Sequence, residues 1–91
     1  MAETREIRLK RLRIRCWRRG MKEMDLILGG FADQGMADLD DVMLDAFEAM
    51  LSENDQDLYV WFSGQQALPD DHAMIIRHVQ SVRADPGLSQ A

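Results

Sequence analysis

At 91 residues the chain suffices for one small domain and not for two, and a fold of this size buries only about 60% of the surface its unfolded chain exposes. A hydrophobic content of 46% without a long polar tract excludes a disordered chain, no apolar run nears the roughly 20 residues of a membrane helix, and a lone cysteine excludes an internal disulfide. The net charge of −5 hides a division: residues 1–22 set nine Arg and Lys against Glu3 and Glu6, a net of +7, whereas residues 23–91 set Arg77 and Arg83 against fourteen carboxylates, a net of −12.

Two readings of that division stay open. A basic end can meet an anionic partner, or it can pack beside the acidic helices of its own chain. An Arg-rich start also resembles a mitochondrial transit peptide, but those are rich in Ser and poor in acid. Here Glu3 and Glu6 interrupt the run and Ser52 is the first serine, so the segment is read as mature protein. Cys16 alone points to a reducing compartment, and one Cys with two His makes a zinc site unexpected.

In chain order, residues 4–18 predict a first helix with two contact sides. Leu9, Leu12 and Cys16 hold one face, and Ile7 and Ile14 another. Gly20 offers a break. Residues 21–32 predict a second helix on the stripe Met21, Met24, Ile27, Leu28 and Phe31. Gly29 and Gly30 near its end allow a close helix contact or loosen the end, and Asp33-Gln34-Gly35 reads as a loop.

The third helix starts from Asp38 as N-cap, with Asp40 and Asp41 in its first turn. Leu39, Val42, Met43, Ala46, Phe47, Met50 and Leu51 form its apolar stripe. Asn54 or Asp55 caps a fourth helix bearing Leu58, Trp61 and Phe62, which stops at Gly64. Pro69 stands at the first position of a fifth helix carrying Ile75, Ile76, Val79 and Val82, and Pro86-Gly87 ends it. The expectation is an all-α, single-domain, five-helix bundle, with an ordered core over about 5–83 and a frayed tail over 84–91. The methionines fall on apolar stripes, as core fillers or as a plastic binding surface.

No nucleophile–base pair stands out. Cys16 lies on the Leu9/Leu12 face, which predicts a buried structural thiol despite Arg15 beside it. His72 and His78 are six residues apart, a spacing that does not unite ligands on a helix, so both read as surface or partly packed. Asp38, Asp40 and Asp41 lack the offsets of a cation loop and read as helix caps. No metal site is expected.

The crowded stretch is Arg15-Cys16-Trp17-Arg18-Arg19-Gly20-Met21-Lys22-Glu23-Met24-Asp25. Trp17 among arginines suits stacking on nucleic acid, although the acidic remainder repels a polyanion. Arg19-Gly20-x-x-Glu23 sets a guanidinium and a carboxylate one turn apart across a bare backbone, where another surface can approach. An internal Arg19–Glu23 pair at i, i+4 explains the same residues, and physics alone does not choose.

Here the chain resembles a known family. Arg18-Arg19-Gly20-Met21-Lys22-Glu23-Met24-Asp25 is similar to the Arg-Gly-x-x-Glu motif of the SdhE family of FAD assembly factors of succinate dehydrogenase. Asp25-Leu26-Ile27-Leu28-Gly29 follows as it often does there, and Asp57-Leu58-Tyr59-Val60-Trp61 resembles that family's second landmark. The resemblance spans residues 8–83. It implies a five-helix bundle without catalysis of its own, which binds the flavoprotein subunit of succinate dehydrogenase, and in some bacteria of fumarate reductase, and promotes its covalent flavinylation.

Carried over by position, Arg19, Gly20 and Glu23 form the motif, and Arg15, Trp17, Arg18 and Asp25 share its partner-binding surface. FAD is then the client's cofactor, with none held by this chain. A monomer in the bacterial cytoplasm, with no nucleic acid and no membrane insertion, completes the expectation. The alternative is a small nucleic-acid-binding helical protein using the Arg-rich first helix.

Overall fold

The computed structural model describes residues 3–83, and within them the chain is helices joined by turns and short loops, with no strand. The helices are α1 (Arg5–Trp17), α2 (Lys22–Gln34), α3 (Asp41–Leu51), α4 (Asp55–Phe62) and α5 (Asp70–Arg83), with a 3-10 turn at Met36–Asp38. The expected tail over 84–91 and its Pro86-Gly87 stop lie outside the described residues.

Three helices begin on side chains suited to the task. Thr4, Asp40 and Asn54 are each extended, and each accepts the amide hydrogen of the residue three positions on, at 3.2, 2.8 and 2.9 Å. That satisfies one of the amides a helix start leaves without a partner. α4 ends at Phe62 with Ser63 as its C-cap, and the next residue, Gly64, has a φ of +81°, a conformation glycine adopts without penalty.

The predicted boundaries need correction at three places. α2 runs on through Asp33 and Gln34, so the expected loop is helix and the chain turns at Gly35. α3 is capped by Asp40 and not by Asp38, because Leu39 is drawn into the core, 3% exposed and extended, which ends the 3-10 turn at Asp38. The later start also shifts the buried face. Val42 is 71% exposed, and Leu44, absent from the predicted stripe, is fully buried. Pro69 directly precedes α5 instead of occupying its first position.

One core joins all five helices. α1 contributes Leu12 and Cys16, α2 Met24, Leu28 and Phe31, α3 Leu44, Phe47, Met50 and Leu51, α4 Leu58 and Phe62, and α5 Ile75, Ile76 and Val79. Each such large apolar side chain stabilises the fold by about 1.5–3 kcal/mol against exposure. Phe31 and Phe47 meet at 5.2 Å between ring centres, which locks α2 to α3. Met24, Met36 and Met50 are buried, as core fillers should be, whereas Met74 is exposed.

α1 packs on α2 and on α3 with its Leu9/Leu12/Cys16 face. The second predicted contact side is not used: Ile7 and Ile14 are more than half exposed. The histidines differ from one another. His72 is buried, with Nε2 2.8 Å from Glu53 Oε2, and the half-buried His78 ring stands perpendicular to that of Phe31, 6.2 Å between centres.

Candidate functional site: the turn between α1 and α2

The basic helix divides into two zones. Along its length the arginines face carboxylates of the same chain. Arg5 donates to Asp41 at 3.0 Å and to the carbonyls of Ala37 and Leu39. Arg8 donates to Asp45 at 2.7 Å and Glu48 at 3.0 Å, and Arg11 donates to Glu3 and Glu48. Arg13 pairs with Asp33 at 2.7 Å, and Arg15 is 3.8 Å from Glu48. Hydrogen bonds from Arg11 above all, and from Arg8, hold the Glu48 carboxyl below its usual range. The charge division along the sequence is thus largely answered within the chain, by packing α1 on the acidic α3.

At the C-terminal end of α1 the chain turns through Arg18-Arg19-Gly20-Met21 into α2, and three successive backbone amides meet carboxylates. Arg19 N–H donates to Asp25 Oδ1 at 2.6 Å, Gly20 N–H to Asp55 Oδ2 at 2.6 Å, and Met21 N–H to the same oxygen at 3.1 Å. The Arg19 side chain turns inward. Its Nε–H donates to Asp55 Oδ1 at 2.6 Å, Nη1 to the Leu51 carbonyl at 2.7 Å, and Nη2 to the Glu53 carbonyl at 2.8 Å. The two side chains are 11% and 16% exposed. Arg19 therefore ties the α1–α2 turn to the α3–α4 turn, where the end of one helix leaves carbonyls without helical partners.

This corrects two expectations about the motif. The guanidinium of Arg19 does not face outward, and it pairs with Asp55 instead of Glu23. The α3–α4 turn offers the fork two carbonyls and a carboxylate at once, which Glu23 does not. What faces solvent is Arg18, Gly20 and Glu23, all exposed. Among the described residues no ion pair is found for Arg18 or Glu23.

An open groove of about 420 Å³ runs beside the turn, lined by Ile14, Arg15, Arg18, Arg19, Gly20, Asn54 and Asp55. Of the seven candidate residues, it unites Arg15, Arg18, Arg19 and Gly20. Trp17, Glu23 and Asp25 do not line it. Asp25 instead braces the turn through the Arg19 amide. Trp17, 40% exposed, lays its ring on Gly29, where an added Cβ would stand 2.3 Å from the indole. Its Nε1–H donates to Asp33 at 3.4 Å. Of the two readings left open for this glycine pair, Gly29 serves a close contact, with the Trp17 ring, and Gly30 has open space.

Cys16 is fully buried beneath this region, and burial pushes its thiol up to about 12. The thiol is a core group, as its helix face predicted.

The family model of the flavinator of succinate dehydrogenase, Sdh5, matches residues 10–83, which includes the turn, the groove and every core helix. The chain belongs to this family. It is 37% identical over 73 residues to the FAD assembly factor SdhE of Idiomarina loihiensis, covering 79% of this chain and 80% of that one. It is 36% identical over 75 residues to the FAD assembly factor SdhE of Shewanella oneidensis, covering 82% and 88%. A mitochondrial succinate dehydrogenase assembly factor 2, from Mycosarcoma maydis, is 35% identical over 68 residues, 75% of this chain. This chain spans only 29% of that relative's length.

Family membership explains why the Arg-Gly turn and the α4 segment were legible as two separate landmarks. The structure adds their junction, Asp55, two residues ahead of the Asp57–Trp61 landmark. The sequence pattern marks Asp55 only as a possible helix cap. Its position one residue after the actual cap, Asn54, was the available signal: a carboxylate there is free to reach another element.

Proposed function

We propose that this chain is an assembly factor that binds the flavoprotein subunit of succinate dehydrogenase and promotes its covalent flavinylation, docking through the surface around Gly20. The match of the flavinator model over residues 10–83 supports the function. The observation that carries the docking surface is Gly20 itself. Its φ is not in the left-handed region, and an added Cβ would meet nothing nearer than Asp55 Oδ2 at 3.4 Å, an ordinary contact. The chain's own fold therefore does not require glycine there. A bare, exposed backbone beside Arg18 and Glu23 is useful to a surface that approaches from outside.

The factor forms no bond in the reaction. It holds no cofactor, and the FAD belongs to the client. It favours the conformation of the flavoprotein in which the flavin and its acceptor side chain are aligned, which requires only that it bind that conformation more tightly than others. Arg15 and Arg18 supply forked donors for client carboxylates or carbonyls. The related fumarate reductase flavoprotein is a second client. The factor acts as a monomer in the bacterial cytoplasm, a location supported by its near full-length likeness to bacterial relatives. Among the described residues no helix is long and apolar enough to cross a membrane.

The nucleic-acid reading loses its basis, since five arginines of α1 face carboxylates of their own chain. The test is co-expression of the flavoprotein subunit with and without this chain. Copurification and a gain in covalent flavin fluorescence are the expected results. Equal fluorescence in its absence contradicts the proposal.

A further inference from the structure

We infer that Asp55 is a positioning residue for client docking: it holds the Arg19-Gly20-Met21 turn in its displayed shape and touches no client itself. The inference rests on the docking reading above and adds to it a residue from the other side of the molecule. Both oxygens of Asp55 are engaged by groups of this chain. Oδ1 accepts from Arg19 Nε, and Oδ2 accepts the amides of Gly20 and Met21. With 16% of its side chain exposed, it has little surface to offer a partner.

The turn has few other restraints. The N-cap of α2, Met21, supplies no side-chain cap, so the amides at the turn find their acceptors in Asp25 and Asp55. Asp25 fixes only the Arg19 amide. Gly20, which has no side chain to anchor it, depends on Asp55 for its orientation, and a glycine released from such a bond gains more backbone freedom than any other residue. Ordering it again on binding costs affinity. Arg19 enters as the second half of the same device. By bonding Leu51 and Glu53 carbonyls it fixes where Asp55 stands relative to the turn. The motif's arginine is thereby a brace, and its glycine is the displayed part.

The test compares Asp55→Asn, Gly20→Arg and a core variant, Val79→Ala, which lowers stability far from the turn. Each is assayed below its melting temperature for amide hydrogen exchange and for affinity to the purified flavoprotein subunit of succinate dehydrogenase. The expected result for Asp55→Asn is at least about a tenfold faster exchange at Gly20 and Met21, with at least about a tenfold weaker affinity. Val79→Ala leaves both as in the parent, which separates positioning from general loss of stability.

If Asp55→Asn lies unfolded at the assay temperature, Asp55→Glu keeps the charge, displaces the oxygens by one methylene and is held to the same expectation. Unchanged exchange at Gly20 and Met21 overturns the inference, as does freed exchange with parental affinity. Parental affinity of Gly20→Arg overturns the docking reading itself. Weak binding by Gly20→Arg with parental binding by Asp55→Asn overturns the positioning role alone.

Discussion

The two ends of α1 use the same residue in opposite ways. Along its first three turns, Arg5, Arg8 and Arg11 reach across exposed and half-exposed surface to carboxylates on α3 and at Glu3. Just past its far end Arg19 is mostly shielded with Asp55, at 11% and 16% exposure, and spends its donors on one carboxylate and two carbonyls. Exposed pairs contribute about 0–1 kcal/mol each, because solvent screens them and ordering long side chains costs entropy. A buried pair is different in kind: breaking one partner strands the other. The comparison teaches that the surface arginines settle the charge balance of the fold, and the buried one fixes the shape of a turn.

Removing Arg19 is the sharpest way to test that contrast. Arg19→Ala leaves Asp55 and the Leu51 and Glu53 carbonyls without their partner, and the expected loss is about 3–5 kcal/mol in denaturant unfolding. Arg5→Ala, at the exposed end, should cost under about 1 kcal/mol in the same experiment. Equal losses would erase the distinction between the two zones.

Next in size is Gly29→Ala. The new methyl would overlap the Trp17 ring, so the indole must move. Overpacking of this kind costs about 1–3 kcal/mol. The check is a lower melting temperature together with a changed Trp17 emission, read in a background where Trp61 is replaced by Phe.

Glu48 probes the exposed zone through pH. Its carboxyl is held low by Arg11 and Arg8, so it binds protons less readily folded than unfolded. Its contribution is therefore present at neutral pH and is lost as pH falls through the folded value, below the ordinary glutamate value of 4.5. Glu48→Gln should be less stable than the parent at pH 7, by under about 1 kcal/mol, and the two should converge in acid. A gap that persists in acid contradicts the assignment. The smallest effect concerns Cys16, whose buried thiol stays protonated. Maleimide at pH 8 should leave the native protein unlabelled and react once denaturant unfolds it.

Much of the fold was legible because helical stripes and caps are local signals. Leu12 with Cys16, Phe31, Phe47, and Ile75 with Ile76 sit where spacing put them. The shift at α3 was not legible, since the choice between Asp38 and Asp40 as cap was made by the burial of Leu39. The motif was visible as residues, but its orientation was not. Whether Arg19 points in or out depends on Leu51, Glu53 and Asp55, more than thirty positions away, and no local pattern carries that information.

The central claim is that Gly20 is bare for the sake of a partner and not for the fold. Covalent flavin on the succinate dehydrogenase flavoprotein subunit, read by in-gel fluorescence in cells whose sole copy of this factor is Gly20→Arg, tests it most directly. Flavin fluorescence should fall to the level of cells lacking the factor, while the purified variant keeps the parental circular dichroism spectrum. Parental fluorescence from the variant, or loss of its helical fold, would contradict the account.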